Sequence, residues 1–472
     1  MGELEESFTR DVEAYYGRTG ETEIKTLDQI RNELLQIEKL TGVKPAIIYT
    51  FFFDKDIDDE ELNKLEKRIN SSEEQALVRP DSETSNLQWE FFPQGEATEY
   101  STIKRFLPEE RHDDDKLVLL LVTARHKPVV KRVEGATRKE VLSKARVFKT
   151  DVVTTAKLEL ERAQTFYNWL ITPIEDDLGN KKVDNLVFVM ERELLNLPLA
   201  ALHDGTEYLI EKNYSVGLMP SMSMTDTRYV DIKNAPMLAM GTGRFEGFSD
   251  LNNLLTIPLQ IAGIREIWNP TEVTPLEDEK FTIKNLDQAL VEQQNLGIVH
   301  LTTHGKFEAK ATNSYIQFWQ DERLTLEAMG NRKFEVPPVE LLVLAACETA
   351  LGSKNPDVNF AGAELGFAGL ANQAKVKSVL ASLVSDVNEV GTLGLMIRFY
   401  RELKTAPTKA EALRRAQLAM LKGEVVIEDG KLKGSGLDND IQLPKTLAEV
   451  FDKKELSYPA YWSWFTIVGN PW

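Results

Sequence analysis

VELLVLAAC, residues 339–347, is one of the most apolar runs of the chain and ends in Cys347, the only cysteine among 472 residues. Its length and aliphatic composition predict a strand that is buried on both faces of a sheet. ETALG, residues 348–352, follows at once, and we expect the strand to end there. A buried strand that turns directly after the only thiol presents that thiol at its tip, where it can act as a nucleophile.

A second short buried strand is predicted by GIVHLTTHG, residues 297–305, which ends in His304 and Gly305. His304 precedes Cys347 by 43 residues, the order and approximate spacing of caspase-type peptidases. Because ligands bind at the carboxyl ends of parallel strands, the two side chains can meet if their strands are neighbours. The imidazole would then favour the thiolate and later protonate the leaving amine. The alternative is a structural cysteine that only fills space in the core.

The backbone at the same two strand ends is the predicted oxyanion hole. Gly305 has no side chain to obstruct its N–H group, and the N–H of Cys347 lies at the end of the other strand. These two donors would stabilise the negative charge of a tetrahedral intermediate. Such chemistry needs no cofactor.

Two other motifs are interpreted as structural. His300 lies four residues before His304, but both are in a predicted strand and no second ligand cluster exists, so no metal site is expected. GTG, residues 241–243, lacks the third glycine and the lysine of a phosphate-binding loop. We therefore expect a close-packed turn at 241–243 and no nucleotide site.

Composition narrows the class of protein. The 56 basic and 75 acidic residues give a net charge of −19, which argues against non-specific nucleic-acid binding. This charge does not exclude a basic peptide substrate, which an acidic surface would attract. One cysteine permits no internal disulfide. The acidic start at residues 1–6 shows no signal segment, and no apolar run is long enough to span a bilayer. The expected location is the cytoplasm.

Strands alternate with helical segments along most of the chain, which predicts an α/β fold with mostly parallel sheets flanked by helices. We predict three units: an amphipathic helical arm at 1–42, one α/β lobe at 43–235 and a second α/β lobe at 236–472. Residues 54–60 and 69–87 are polar and are expected to form loops. No tandem period of a helical repeat is visible.

The motifs together resemble the CHAT-domain peptidases, which are bacterial relatives of caspases and separase. The resemblance rests on the two quoted strands, on 185–221 in the first lobe, and on GAELGFAGLANQA (362–374), SVLASL (378–383) and YPAYWSWFTIVGNPW (458–472). It covers residues 40–472 and implies a separase-like arrangement, in which a catalytically silent caspase-like lobe precedes an active one. It further implies a cysteine endopeptidase that cleaves proteins or peptides, with His304 as general base and Cys347 as nucleophile. Because relatives are often joined to helical repeats, it also implies an activating partner that carries such repeats.

The resemblance also implies a specificity pocket. In separase-like relatives, an acidic residue after the next strand receives a basic P1 side chain, the residue that precedes the scissile bond. Here that segment is VSDVNEVGT, residues 384–392, so Asp386 or Glu389 would take the acidic position. The alternative is structural, because Asp386 and Asn388 precede a predicted helix and acidic or amide side chains stabilise helix starts.

Two rival functions stay open at the level of sequence. One is a catalytically latent scaffold, in which the fold survives as an interaction module. The other is a cysteine-dependent hydrolase or transferase of small molecules, which would need a deep closed pocket where a peptidase has a shallow cleft.

Overall fold

The structure of the protein is a computed structural model that describes residues 1–15, 20–56, 58–76, 111–154, 160–245, 248, 251–269, 271–293, 295–306, 313–329, 339–347, 375–383, 388–451 and 455–472. The strands are β1 (Pro45–Phe53), β2 (Lys116–Thr123), β3 (Val129–Thr137), β4 (Asn185–Met190), β5 (Ser215–Leu218), β6 (Met237–Gly241), β7 (Val273–Glu277), β8 (Ile298–Lys306), β9 (Tyr315–Gln317), β10 (Arg323–Thr325), β11 (Leu341–Cys347), β12 (Ser378–Ser382), β13 (Val426–Glu428), β14 (Lys431–Lys433), β15 (Ile441–Gln442) and β16 (Phe465–Gly469). The helices are α1 (Gly2–Tyr15), α2 (Leu27–Thr41), α3 (Asp59–Ala76), α4 (Arg138–Thr154), α5 (Leu160–Leu170), α6 (Glu175–Lys181), α7 (Ile257–Trp268), α8 (Ile283–Glu292), α9 (Leu326–Met329), α10 (Glu389–Leu403), α11 (Lys409–Leu421) and α12 (Lys445–Phe451).

One large, mostly parallel sheet organises the molecule. Its strands run in the order β10-β9-β8-β11-β12-β16-β5-β4-β1-β2-β3, and β6 joins it by pairing with β8 and β7. Strands β6, β8, β11 and β12 are mutually parallel, so their carboxyl ends lie at one edge. The predicted α/β class with a mostly parallel sheet flanked by helices is confirmed.

Strands of both predicted lobes belong to this one sheet. β16 pairs in parallel with β5 through Ile467 and Gly217, and with β12 in the antiparallel sense. The chain that follows β16 packs tightly on β5, because a side-chain carbon added to Gly217 would lie 2.9 Å from Pro471. The boundaries 43–235 and 236–472 remain a prediction.

The N-terminal segment 1–42 is packed onto the same sheet. α2 begins with a capping box at Thr26 and ends at Gly42, which adopts the left-handed conformation with φ 75° that favours glycine. Its apolar face, which includes the fully buried Ile30 and Leu34, lies in one core cluster with β1 and β2. The hydrophobic effect therefore holds this segment against the sheet.

Helices α7 and α10 cover the face of the sheet that carries His300 and His304. They pack against each other closely, because a side-chain carbon on Gly263 of α7 would lie 2.6 Å from Ile397 of α10. Both helices belong to the same core cluster as the strand residues that face them. These two helices are therefore the ones that set the surroundings of the predicted site.

Several elements differ from the sequence prediction. α3 occupies Asp59–Ala76, where polar loops were predicted at 54–60 and 69–87. The missed signal is the helical spacing of Leu62 and Ile69, which are both buried. The three-stranded sheet β13-β14-β15 and the strand β7 were not predicted, because such short strands carry little periodicity. Residues 362–374, which carry part of the family resemblance, lie outside the described residues.

None of the helices that the structure describes combines the length and the apolar character needed to cross a membrane.

Candidate active site

The two strands that carry the predicted catalytic residues are direct neighbours. β8 and β11 run parallel, and their register sets Cys347 opposite His304 as the last pair of the ladder. Neighbouring strands are separated by about 4.8 Å, so the backbone of Cys347 lies beside that of His304. The side chain of Cys347 lies outside the described residues, as do residues 348–350. The condition under which the two side chains can meet, that their strands are neighbours, is therefore fulfilled.

The ring of His304 is held by a backbone carbonyl. Its Nε2 lies 2.7 Å from the carbonyl oxygen of Asn252, and because a carbonyl can only accept, Nε2 must carry the hydrogen. In the neutral ring, Nδ1 is then the nitrogen without a hydrogen and the one that can take up a proton. The Phe245 ring packs on the imidazole with centroids 4.4 Å apart, and only 2% of His304 is exposed.

The loop that presents the Asn252 carbonyl is built on a glycine turn after β6. The N–H of Leu254 donates to the carbonyl of Gly243 at 2.9 Å. A side-chain carbon on Gly243 would lie 2.3 Å from the Leu254 oxygen, so only glycine fits there. Asn253 contributes a second bond, since its Oδ1 accepts from the N–H of Phe245 at 2.7 Å. The expected close packing at 241–243 is therefore seen at Gly241 and Gly243.

His300 is a core residue. Its Nδ1 lies 3.0 Å from the hydroxyl of Tyr400, and its side chain is fully buried. Burial lowers the pKa of His300 to about 3, so the ring is neutral at physiological pH. Among the described residues, no group of three or more His, Cys, Asp or Glu side chains is placed to hold a metal ion.

Gly305 lies where β8 changes partners. It pairs with Ile316 of β9 in the antiparallel sense, one residue after His304 pairs with Cys347. The neighbouring Thr303 donates its hydroxyl to the Gln317 carbonyl at 2.8 Å, which fixes β9 against β8. The N–H groups of Gly305 and Cys347 stay the predicted oxyanion donors.

Of the two acidic candidates for a P1 pocket, Asp386 lies outside the described residues. Glu389 is the first residue of α10, but the helix cap is Asn388, whose side chain accepts from the N–H groups of Val390 and Gly391. The Glu389 carboxylate turns to the start of α7, where its Oε2 accepts from the N–H and the hydroxyl of Thr256, each at 3.3 Å. Burial raises the pKa of Glu389, while these hydrogen bonds oppose the shift.

Sequence reasoning missed the residues around His304 that act through their backbone or their packing, namely Asn252, Phe245 and Thr256. A backbone carbonyl has no residue signature, so Asn252 could not be identified from its side chain. The one available signal is Thr256-Ile257-Pro258, since threonine before an early proline marks a helix start. That signal locates α7 and says nothing about the carboxylate that binds there.

Comparison with known proteins supports the family resemblance. The CHAT domain matches residues 160–470, which is more than half of the chain and includes both His304 and Cys347. CHAT domains are associated with caspase-like cysteine peptidases. No curated protein matches the chain. The family match and the paired strands β8 and β11 agree with each other, and the chain belongs to the CHAT-domain family.

Proposed function

We propose that the protein is a cysteine endopeptidase of the caspase and separase type, with Cys347 as nucleophile and His304 as general base. The observation that supports this most is the register of β8 and β11, which pairs the two residues at the carboxyl edge of the sheet. The chain has no other cysteine, so a thiol mechanism has one possible nucleophile.

In the proposed reaction, Nδ1 of His304 takes the proton of the Cys347 thiol, and the thiolate attacks the scissile carbonyl. The N–H groups of Gly305 and Cys347 stabilise the resulting oxyanion. The imidazolium then gives its proton to the leaving amine as the C–N bond breaks, which leaves a thioester. Water, deprotonated by His304, hydrolyses the thioester and restores the thiol. The Asn252 carbonyl, 2.7 Å from Nε2, favours the imidazolium by accepting its other proton in a hydrogen bond.

The 43–235 segment is proposed to be the silent lobe. It contains no cysteine. Of its three histidines, His203 accepts a hydrogen bond from the N–H of Gly205 and pairs with Tyr208 in an isolated bridge. We further propose that the protein acts in the cytoplasm and that a separate partner with helical repeats activates it.

The test compares wild-type protein with Cys347→Ala. New protein N-termini are mapped by mass spectrometry in cells that express each form together with candidate partners. We expect a set of new termini that is present for wild type and missing for Cys347→Ala. Identical sets of termini with every candidate would refute the proposal and favour a latent scaffold.

We propose cleavage after a basic residue, read by an acidic side chain at Asp386 or Glu389. A panel of fluorogenic peptides that differ only at P1 measures the preference. We expect Arg and Lys to be cleaved with the highest kcat/KM, and either Asp386→Asn or Glu389→Gln to lose that preference. A preference for Asp or for an aliphatic P1 residue would refute it.

A further inference from the structure

The carboxylate of Glu389 connects two helices at the catalytic edge of the sheet. Its Oε2 accepts from the N–H and the hydroxyl of Thr256, and the hydroxyl also lies 3.4 Å from the Glu389 carbonyl. Thr256 is the residue before α7 and makes no capping bond of its own. The carboxylate therefore occupies the N-terminus of α7, where the unpaired N–H groups and the helix dipole favour a negative group.

Thr256 also ends the loop that orients His304. Within that loop, Asn252, Asn253 and Leu255 are exposed, whereas Leu254 and Thr256 are buried. Leu254 is held by its hydrogen bond to Gly243, and Thr256 is held by Glu389. The side chain of Asn253 adds a third attachment, because its Oδ1 accepts from the N–H of Phe245. The rest of this loop segment is exposed, so the position of the Asn252 carbonyl depends on these three attachments.

We propose that Glu389 is a positioning residue for His304: by binding Thr256, it fixes the loop that keeps the Asn252 carbonyl on Nε2. This rests on the proposed function. The Glu389 carboxylate acts here as a hydrogen-bond acceptor, because the N–H and the hydroxyl of Thr256 both donate to its Oε2. The Glu389 side chain is half-buried. If Glu389 has this positioning role, Asp386 is the remaining acidic candidate for binding a basic P1 side chain.

The positioning role and the P1-binding role of Glu389 differ in whether they need its negative charge. A positioning acceptor is replaced by the amide oxygen of glutamine, whereas a receptor for a basic side chain needs the negative charge. Glu389→Gln and Glu389→Ala therefore separate the two roles. The matched structural control is Thr408→Ala, which removes a side-chain cap from the Glu411 N–H of α11, away from the catalytic edge.

The experiment measures kcat and KM for peptides with basic and with aliphatic P1 residues. For Glu389→Ala, we expect kcat to fall about 10- to 100-fold on every peptide, as for other groups that orient a reacting side chain. KM should change less than about threefold, because substrate contacts are intact. Glu389→Gln should regain kcat to within about threefold of wild type. Thr408→Ala should match the loss of melting temperature of Glu389→Ala while its kcat stays at the wild-type value.

Two results would overturn the proposal. One is a wild-type kcat for Glu389→Ala. The other is a Glu389→Gln variant as impaired as Glu389→Ala on basic peptides alone, which would assign Glu389 to the P1 pocket.

A second readout separates this proposal from the proposed function. Iodoacetamide alkylates the single cysteine, and its rate at neutral pH reports the thiolate that His304 promotes, without any peptide. If wild type cleaves no peptide, slower alkylation of Glu389→Ala than of wild type and Glu389→Gln still supports positioning. Equal alkylation rates in all three proteins would overturn it.

Discussion

His300 should make the protein sensitive to acid, because it is an ionisable group that is fully buried and no counter-charge acts on it among the described residues. Its Nδ1 meets the Tyr400 hydroxyl, and Nε2 has no hydrogen-bond partner in the part of the chain that the structure describes. Burial lowers the pKa of His300 from 6.5 to about 3. The unfolded chain therefore binds a proton that the folded chain does not bind between these two pH values. Stability is lost as the pH falls below about 6.5.

The size of this loss follows from the two pKa values. At pH 4.5 the unfolded imidazole is almost fully protonated and the folded one is neutral, so His300 costs about 3 kcal/mol of folding free energy. His300→Gln removes the titration and keeps a polar side chain beside Tyr400. We expect the free energy of unfolding of wild type to fall by about 3 kcal/mol more than that of His300→Gln between pH 7 and pH 4.5.

Urea unfolding followed by the fluorescence of the seven tryptophans measures this difference at each pH. Comparing the pH dependence of the two proteins removes the constant cost of the substitution. His126→Gln is the control, since its side chain is exposed, and it should follow wild type. An equal loss of stability in wild type and His300→Gln would refute the reasoning, because it would mean that the buried ring accepts a proton at little cost.

Three further substitutions test other parts of the structure. Gly243→Ala should slow alkylation of Cys347 by iodoacetamide at least tenfold, because the added carbon would displace the Asn252 loop, whereas Gly179→Ala, which meets nothing within 4 Å, should alkylate at the wild-type rate. His304→Ala should reduce kcat by at least about 100-fold in the peptide assay, and a wild-type kcat would contradict its role as base. Glu5→Ala should lower the free energy of unfolding by about 3 kcal/mol in urea titrations, because it strands buried donors such as the Tyr49 hydroxyl. The exposed Glu6→Ala is its control, and equal effects would contradict a buried anchor for α1.

The sequence was most informative where burial leaves a strong local pattern. β1 and β4 coincide with two apolar runs of the sequence, because a strand buried on both faces is largely apolar. The helix predicted to follow Asn388 is α10, whose buried side chains recur at helical spacing. The pattern failed at Asp59–Ala76, where a largely polar helix buries only a few side chains.

The candidate site was also predictable from the sequence only in part. A lone thiol and a histidine at the ends of two apolar runs were visible as residues, but that their strands are neighbours is known only from the pairing of β8 with β11. The acidic candidates could not be separated, because a carboxylate suits a helix start and a basic pocket equally well. Only the fold shows that Asn388 caps α10 while the Glu389 side chain turns to Thr256.

The sequence by itself therefore determined the α/β class, the longer buried strands and the residues that can carry thiol chemistry, because these depend on local periodicity and on side-chain identity. The tertiary structure alone decided that β16 and β5 join both halves in one sheet, and that the Asn252 carbonyl holds the ring of His304. It also decided where the Glu389 carboxylate binds. Such contacts join residues far apart in the chain through backbone groups that every residue shares, so no local pattern of side chains encodes them.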